Sequence, residues 1–456
     1  MDDLIRALRK ATECTDYEGR LYLVGGIVRD AVLGVEPEED IDIVLEGDAG
    51  ELARFLLQRG VGDHPPVIFP RFGTAMLSVA GRQIEIVGAR KESYDRTSRK
   101  PSTAPGSLLD DVLRRDFTIN TLLRNLHTDE ILDLTGQAFD DIEARLIRTP
   151  KEPVVTFEDD PLRMMRAVRF ASKLGFTIHP ETYEAIRGCS KRLKIVSAER
   201  IRDEFTKIVV SEGAARGLGI LRETGLLDHF AAELSATQGV TQNVYHIHDI
   251  WTHTLKTLES IPAEEGITLR LAAVLHDVGK PPTRSVDDQG GVHFYGHQKV
   301  GAEIARRIMR RLRFPNSRID EVAFLISMHL RVGEYDSQWS DAAVRRLIRD
   351  AGDHLEDLMT LTRADKGAAN PDMPSVDLDV VRTHIGKVRS DLAGQRIASP
   401  LDGKEIIELL GIAPGPEVGR IKEFLESQVI EGRLLPGDKS AAAVLLKEYD
   451  KRRNGD

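Results

Sequence analysis

One segment constrains this chain more than any other: residues 22 to 48, YLVGGIVRDAVLGVEPEEDIDIVLEGD. The apolar run Tyr22–Val24 reads as a buried strand and Gly25-Gly26 as a tight turn. Ile27–Gly34 reads as a helix whose unpaired N–H groups and positive dipole end face that turn, an arrangement suited to phosphate. Asp40-Ile41-Asp42 follows inside a second apolar run. If that run is a strand, alternation puts both carboxylates on one face. Two hard oxygen ligands beside a phosphate-binding turn predict a Mg²⁺–nucleotide site. Either motif alone would be an ordinary turn or a solvated strand edge. In this order and spacing they specify a strand–turn–helix–strand unit.

At 456 residues the chain exceeds a single core, and about three domains is the length expectation. A composition of 41% hydrophobic, 5% aromatic and 30% charged residues suits a soluble, largely helical protein. No apolar run approaches the roughly 20 residues of a membrane span. The N-terminus, MDDLIRALRKATECTDYEG, reads as a charged amphipathic helix and not as a secretory signal. Two cysteines, Cys14 and Cys189, exclude a disulfide framework and a thiolate zinc site, which points to the cytoplasm. A net charge of −10 argues against indiscriminate nucleic-acid binding. Locally, Arg163 to Lys207 holds eleven Lys/Arg against five Asp/Glu, an excess that can meet a phosphate backbone or simply form a solvated helical face.

Along the chain, β-like runs (LYLVGG, IDIVL, TAMLSVAG, RQIEIVGA) mix with helices up to about residue 145, and helical patterns dominate from Asp160 onward. Arg90–Gly106 is polar, holds two prolines and lacks periodicity, so it reads as a mobile loop inside the first domain. A His-rich block starts near Tyr245. A final helical block starts near Ser399, where Pro400 and Gly403 break the chain.

Further groups join the first constellation. Glu85, in the β-like run Gln83–Val87, is a candidate third carboxylate, or else an exposed strand residue. Arg114-Arg115-Asp116-Phe117-Thr118-Ile119-Asn120 crowds basic, acidic and amide groups that can hold a ribose and a triphosphate. Its bland alternative is a helix start capped by Asp116. In Asp159-Asp160-Pro161-Leu162-Arg163, Pro161 suits the first helical position and Asp160 the cap. A carboxylate accepts from an exocyclic amino group and an arginine donates to a ring acceptor. Such an Asp/Arg pair would accept cytosine and adenine and reject uracil and guanine.

With these residues in view the chain resembles the class II tRNA nucleotidyltransferases, the bacterial CCA-adding enzyme and poly(A) polymerase family. The matching pieces are GGIVRD (25–30), DID (40–42), RFGTA (71–75), RRDFTIN (114–120), LDLTGQAFDDIEARLIRTP (132–150), DDPLRMMRAVRF (159–170) and SAERIRDEF (197–205). The resemblance implies an α+β fold: a polymerase-β-like head with a small mixed sheet (1–145), then all-α neck (146–240), HD (241–375) and tail (376–456) domains. It implies that Asp40 and Asp42 hold Mg²⁺. Gly25, Gly26 and Arg29 would meet the triphosphate, and Asp116 with Arg114 and Arg115 before it the ribose and phosphates, with Asn120 also binding nucleotide. Asp159, Asp160 and Arg163 would select the base, with Arg166 and Arg169 on the same helix. The implied partners are tRNA, ATP and CTP, with no membrane and room for a homodimer. One departure stands out: the family usually begins its base-selecting motif with Glu, where this chain has Asp159 beside Glu158.

In the His-rich block, His276-Asp277 ends an apolar helix, LRLAAVLHDVGK, and gives one imidazole and one carboxylate at the same helix end. More distant His and Asp residues can complete a metal site there. The set resembles the HD phosphohydrolases, with His253, His276, Asp277 and Asp365 as the usual four and His297 and His329 completing a two-metal variant. Such a ligand set suits Mn, Ni, Co or Fe. His293 lies in the same block. The segment 401–425 resembles the family's tail, where PGPEVG can start a helix facing phosphate or form a packing joint. The expectation is a tRNA nucleotidyltransferase adding C, A or both. The competing readings are a poly(A) polymerase, a metal-dependent phosphohydrolase and a regulatory nucleotidyltransferase–HD protein.

Overall fold

The structure, a computed structural model, describes residues 2–36, 41–95, 98–336, 338–392 and 394–454. It forms two compact units, Met1–Ser235 with Arg311–Phe314, and Ala236–Arg310 with Pro315–Asp456. The expected head and most of the expected neck fall in the first unit, and the HD and tail blocks in the second.

In the first unit a mixed sheet is built from β1 (Leu21–Val24), β2 (Ile41–Leu45), β3 (Val67–Phe69), β4 (Thr74–Val79) and β5 (Arg82–Gly88). Beyond a hairpin of β6 (Arg90–Asp95) and β7 (Ser98–Pro105) come β8 (Leu123–Asn125) and β9 (Ile131–Leu132). The sheet order is β3-β4-β5-β2-β1-β8-β9, with β2 and β5 parallel. One face buries Ile41, Ile43, Leu77, Ile84 and Ile86 together with Leu52 and Leu56 of a helix, Ala49–Gln58. Asp48 caps that helix by accepting from the Glu51 amide at 2.9 Å, a contact worth about 1 kcal/mol. On the other face Val24, Val44, Ala89 and Leu123 pack with Val112. That cover stops short of Asp42, and beyond it Glu85 and Met76 are exposed.

The helices of this unit are α1 (Asp2–Thr12), α2 (Gly26–Leu33), α3 (Ala49–Gln58), α4 (Leu108–Leu113) and α5 (Ala138–Glu143). The neck follows as α6 (Pro153–Asp159), α7 (Leu162–Leu174), α8 (Pro180–Cys189), α9 (Ala198–Val209), α10 (Ala214–Glu223) and α11 (Asp228–Ser235). The expected N-terminal helix forms as α1, with Leu4 and Leu8 buried. Gly217 lets α10 lie against α7, since a Cβ there would stand 2.1 Å from Ser172 Oγ. Phe117 meets Phe170 of α7 edge-on at 5.8 Å, joining head to neck.

The polar segment 90–106, expected as a loop, is the β6–β7 hairpin, paired from Arg90↔Pro105 to Ser93↔Ser102. A two-stranded ribbon held by backbone pairing needs no apolar face, so its sequence carries no alternation. Its base is anchored where Gly106 N donates to Ala89 O at 2.9 Å and Thr103 Oγ1 to Arg71 O at 3.0 Å.

The second unit is helical, with α12 (Ile250–Glu259), α13 (Gly266–Leu275), α14 (His297–Arg311), α15 (Asn316–Met328), α16 (Asp341–Ala351) and α17 (Leu355–Gly367). It ends in α18 (Leu378–Asp391), α19 (Gly403–Leu410), α20 (Pro416–Ile430) and α21 (Lys439–Asn454). The run LRLAAVL lies in α13, buried on all sides and packed by α12, α15 and α17. The PGPEVG segment starts α20 at Pro416, directly after Gly415. No helix among the described residues is long and apolar enough to cross a membrane.

Candidate functional site

The strand–turn–helix unit forms as expected. Gly25 takes φ 84°, a left-handed conformation that glycine adopts without strain, and α2 begins at Gly26. A Cβ on Gly25 would lie 3.5 Å from Asp42 Oδ2, so the turn also brings the backbone close to that carboxylate. Glu85 pairs with Asp42 across the parallel β2–β5 ladder. The two carboxylates therefore stand side by side on one face, a donor set that fits Mg²⁺. Asp40 lies outside the described residues.

In front of the turn is a cleft of about 670 Å³, lined by Gly25, Gly26, Asp42, Arg115, Asp116, Asn120, Arg166, Arg169 and Phe170 among others. Asp116 is its organising anion. Its Oδ2 accepts from Arg166 Nε at 2.7 Å and pairs with the terminal nitrogen at 2.6 Å. Its Oδ1 accepts from the Phe117 amide at 2.9 Å and Asn120 Nδ2 at 3.1 Å. Burial pushes the Asp116 carboxyl up. The Arg166 charge, the Asn120 and Arg166 hydrogen bonds and the Arg163 charge outweigh that and bring it down to about 2.

Arg29 is buried and lies inside the wall. It donates to Asp30 Oδ1 at 2.7 Å and to Asn120 Oδ1 at 2.8 Å, and stacks 5.2 Å over Phe170. It thus fixes Asn120 beside Asp116. Arg169 reaches Glu204 of α9 at 3.1 Å. Arg114 faces away from the cleft, bound to Asp111 at 2.8 Å and to Glu92 of the hairpin at 3.3 Å. Its neighbour Arg115, held on Asp111 at 2.9 Å, faces the cleft. Arg115 belongs to the expected RRD cluster, whereas sequence reasoning missed Phe170, Lys173 and Lys207 as lining residues. Lys173 and Lys207 belong to the basic excess it had noted.

Asp159, Asp160 and Arg163 lie at the α6–α7 junction. Asp160 Oδ1 accepts from Leu162 N at 3.1 Å, but the cap position of α7 falls on Pro161, one residue later than expected. Burial raises the Asp159 carboxyl against the nearby Arg163 charge. Arg163 is buried and donates to the Arg114 carbonyl at 2.6 Å, which ties α7 to the RRD segment.

In the second unit, α12, α13, α14 and α17 bring the six predicted ligands together, with His329 following α15. His253 Nε2 lies 2.9 Å from Asp365 and 3.7 Å from Asp277. His276 Nε2 lies 3.2 Å from Asp277, and His297 Nε2 lies 3.6 Å from Asp277 and 3.3 Å from His329 Nε2. Each of the four rings turns Nδ1 to a backbone carbonyl: Ala368, Ala273, Phe294 and Ile326, at 3.3, 2.8, 2.8 and 2.7 Å. With Nδ1 as donor, every Nε2 lone pair faces the centre. His276 and Asp277 are both buried. Burial pushes His329 down to about 3, so its imidazole is neutral. Imidazoles with Nε2 turned to the centre, together with two carboxylates, fit a transition-metal centre.

Two further residues join this centre. Lys280 Nζ is 2.7 Å from Asp277 Oδ2, and His246 groups with His253 and Asp365. Lys280 stands three residues after Asp277 on the same turn, a spacing that could have flagged it. His293 instead pairs with Asp287 at 2.7 Å and stacks on Tyr295. A cavity of about 420 Å³ opens on the centre, lined by Lys280, Lys366, Tyr245, Phe294 and Tyr295 among others.

Comparison with known proteins follows the same division. The Poly A polymerase head domain family matches residues 21–148, the probable RNA- and SrmB-binding site of polymerase A matches 175–237, and the HD domain family matches 243–370. The chain is 36% identical over 333 residues to an A-adding tRNA nucleotidyltransferase of Deinococcus radiodurans, spanning 70% of this chain and 75% of that one. It is 33% identical over 438 residues to a CC-adding tRNA nucleotidyltransferase of Thermus thermophilus, spanning 93% and 92%. Its fold is similar to the crystal structure of the Bacillus stearothermophilus CCA-adding enzyme in complex with CTP. There the TM-score is 0.70 at 23% identity, over 100% of this chain and 98% of that one.

Proposed function

This chain belongs to the tRNA nucleotidyltransferase and poly(A) polymerase family, and we propose that it adds C, A or both to tRNA 3′ ends from CTP and ATP, in the cytoplasm and without a nucleic-acid template. The observation that carries this reading is the cleft. A phosphate-receiving turn, a paired Asp42 and Glu85 and an arginine-rich wall face one space. Use of a divalent metal goes with the family. We assign Mg²⁺ to Asp40, Asp42 and Glu85, where it would neutralise the triphosphate and activate the attacking hydroxyl.

The side chains do the rest. The Gly25–Gly26 amides and the α2 dipole receive phosphate oxygens. Arg115 and Lys207 add positive charge. Asp116 is saturated by its own partners, so it holds Arg166 and Asn120 in place. Asp160 accepts from the amino group common to cytosine and adenine and Arg163 donates to the ring, which rejects UTP and GTP. Support for this assignment is that both lie at the start of α7, the helix whose Arg166 and Arg169 line the cleft. The two relatives named above add different nucleotides at similar identity to this chain, so identity alone does not choose between C and A. The test is product length and composition on tRNA lacking its CCA end, with Mg²⁺ and labelled nucleotides given singly. Extension from CTP or ATP and none from UTP or GTP is expected; no extension at all sinks the reading. A poly(A) product would favour that alternative.

A second activity has its own observation: the buried centre on which four imidazoles and two carboxylates converge. We assign Mn, Fe, Co or Ni to it, a metal that would supply Lewis acidity for hydrolysis of phosphate esters. Lys280 and the cavity's Lys366 give a phosphate group its counter-charge.

A further inference from the structure

The sheet face that carries Asp42 continues beyond the carboxylates. In register order one row runs Asp42, Glu85, Met76, Val67 across four strands. Paired residues project from the same face, so Met76 and Val67 extend the carboxylate pair to the sheet edge. Phe69, two residues after Val67, projects from that face as well. Ile68 between them turns to α3, where its Cγ2 would stand 3.0 Å from a Cβ on Gly50. Val67 is 57% exposed, Phe69 38% and Met76 37%. Edge strands are usually guarded by charge, and this face of β3 carries none. An apolar strip that is open and continuous with a catalytic pair marks a binding surface.

Phosphoryl transfer fixes what must lie there. The attacking hydroxyl and the leaving pyrophosphate stand on opposite sides of the transferred phosphorus. The phosphate turn and Arg115, Asp116 and Arg166 lie on the β1 side of Asp42. The attacking nucleotide must therefore approach from the β5 side, across Glu85, where the strip lies. We propose that Met76, Phe69 and Val67 form the platform for the terminal nucleosides of the RNA acceptor and so present its 3′-hydroxyl to the Asp42–Glu85 pair. The proposal rests on the reading of the chain as an RNA nucleotidyltransferase. With no lysine or arginine on this face of β3, β4 and β5, the strip meets bases and sugars and leaves the phosphates to the basic neck. An aromatic ring stacks on any base, and a thioether adapts to any outline. That tolerance is what an untemplated enzyme needs, because its acceptor ends in a new base after each addition.

The test is steady-state kinetics on tRNA lacking its CCA end. Phe69→Ala/Met76→Ala should raise KM for tRNA roughly ten- to a hundredfold, the size of lost base stacking. KM for the nucleotide and the thermal unfolding profile should not change. Phe69→Tyr/Met76→Leu should restore the wild-type value. As an independent readout, tRNA ending in 4-thiouridine, irradiated on the wild-type protein, should crosslink within residues 67–76. A wild-type KM for tRNA in the double-alanine variant, or crosslinks confined to other segments, overturns the platform. If the wild-type protein extends no RNA under these conditions, the reading of the reaction falls first and the platform with it.

Discussion

Asp116 gives the most quantitative prediction. In Asp116→Asn the side chain keeps its shape and an oxygen for the Phe117 amide, but Arg166 loses the carboxylate 2.6 Å away. Arg166 is a third exposed, so removing its partner costs about 3 kcal/mol, the low end for a buried pair. Near pH 7 the segment 112–125 should therefore lose roughly a hundredfold or more in amide protection. The carboxyl stands at about 2 in the fold against an ordinary 3.8. A depressed carboxylate contributes stability above pH 3.8 and loses it as pH falls towards 2. The difference of nearly two units is worth about 2 kcal/mol. The gap between wild type and Asp116→Asn should thus narrow by about that much between pH 5 and pH 2. Both tryptophans, Trp251 and Trp339, lie in the second unit, so fluorescence would miss the effect. Hydrogen exchange read on peptides spanning 112–125 and corrected for intrinsic rates resolves it. A gap that stays constant down to pH 2, or protection equal in both proteins, would refute the argument.

Other outcomes follow from the same geometry. Asp42→Ala, like Asp40→Ala, should abolish nucleotide addition while the protein unfolds as wild type does; substantial activity in either would end the carboxylate assignment. Arg163→Ala should lose discrimination for CTP and ATP over UTP more than overall rate, and unchanged selectivity in single-nucleotide assays would leave Arg163 as a brace for the Arg114 carbonyl. His276→Ala/Asp277→Ala should leave tRNA extension near normal and remove both bound transition metal and any hydrolysis of phosphomonoesters or 2′,3′-cyclic phosphates. Wild-type protein that holds no such metal and hydrolyses neither ester under added Ni²⁺ or Mn²⁺ would reduce the centre to a scaffold.

Elements fixed by local rules were legible in the sequence. The turn at Gly25, α1 and the run of α13 need only nearby residues to be read. Glu85 was legible as a strand residue, while its partner Asp42 was set by the register of a distant strand. The hairpin at 90–106 was missed because backbone pairing leaves no mark on side-chain order. Which of two adjacent arginines faces the cleft was equally hidden. Asp111 and Glu92 draw Arg114 away, and both partners become visible only once the hairpin is placed. Lys280 was overlooked because a lysine after a glycine reads as surface, whereas it is buried against Asp277.

The pairing of β2 with β5 has a consequence for how this protein can fail. The carboxylates share a face because two strands separated by a long crossover meet in one register. A slip of a single residue would turn Glu85 inward and push Ile84 and Ile86 into water. Such a chain would be inert and adhesive at once. Fidelity of assembly and chemical competence are one condition here, so the specific activity of a preparation is also a count of its correctly threaded molecules.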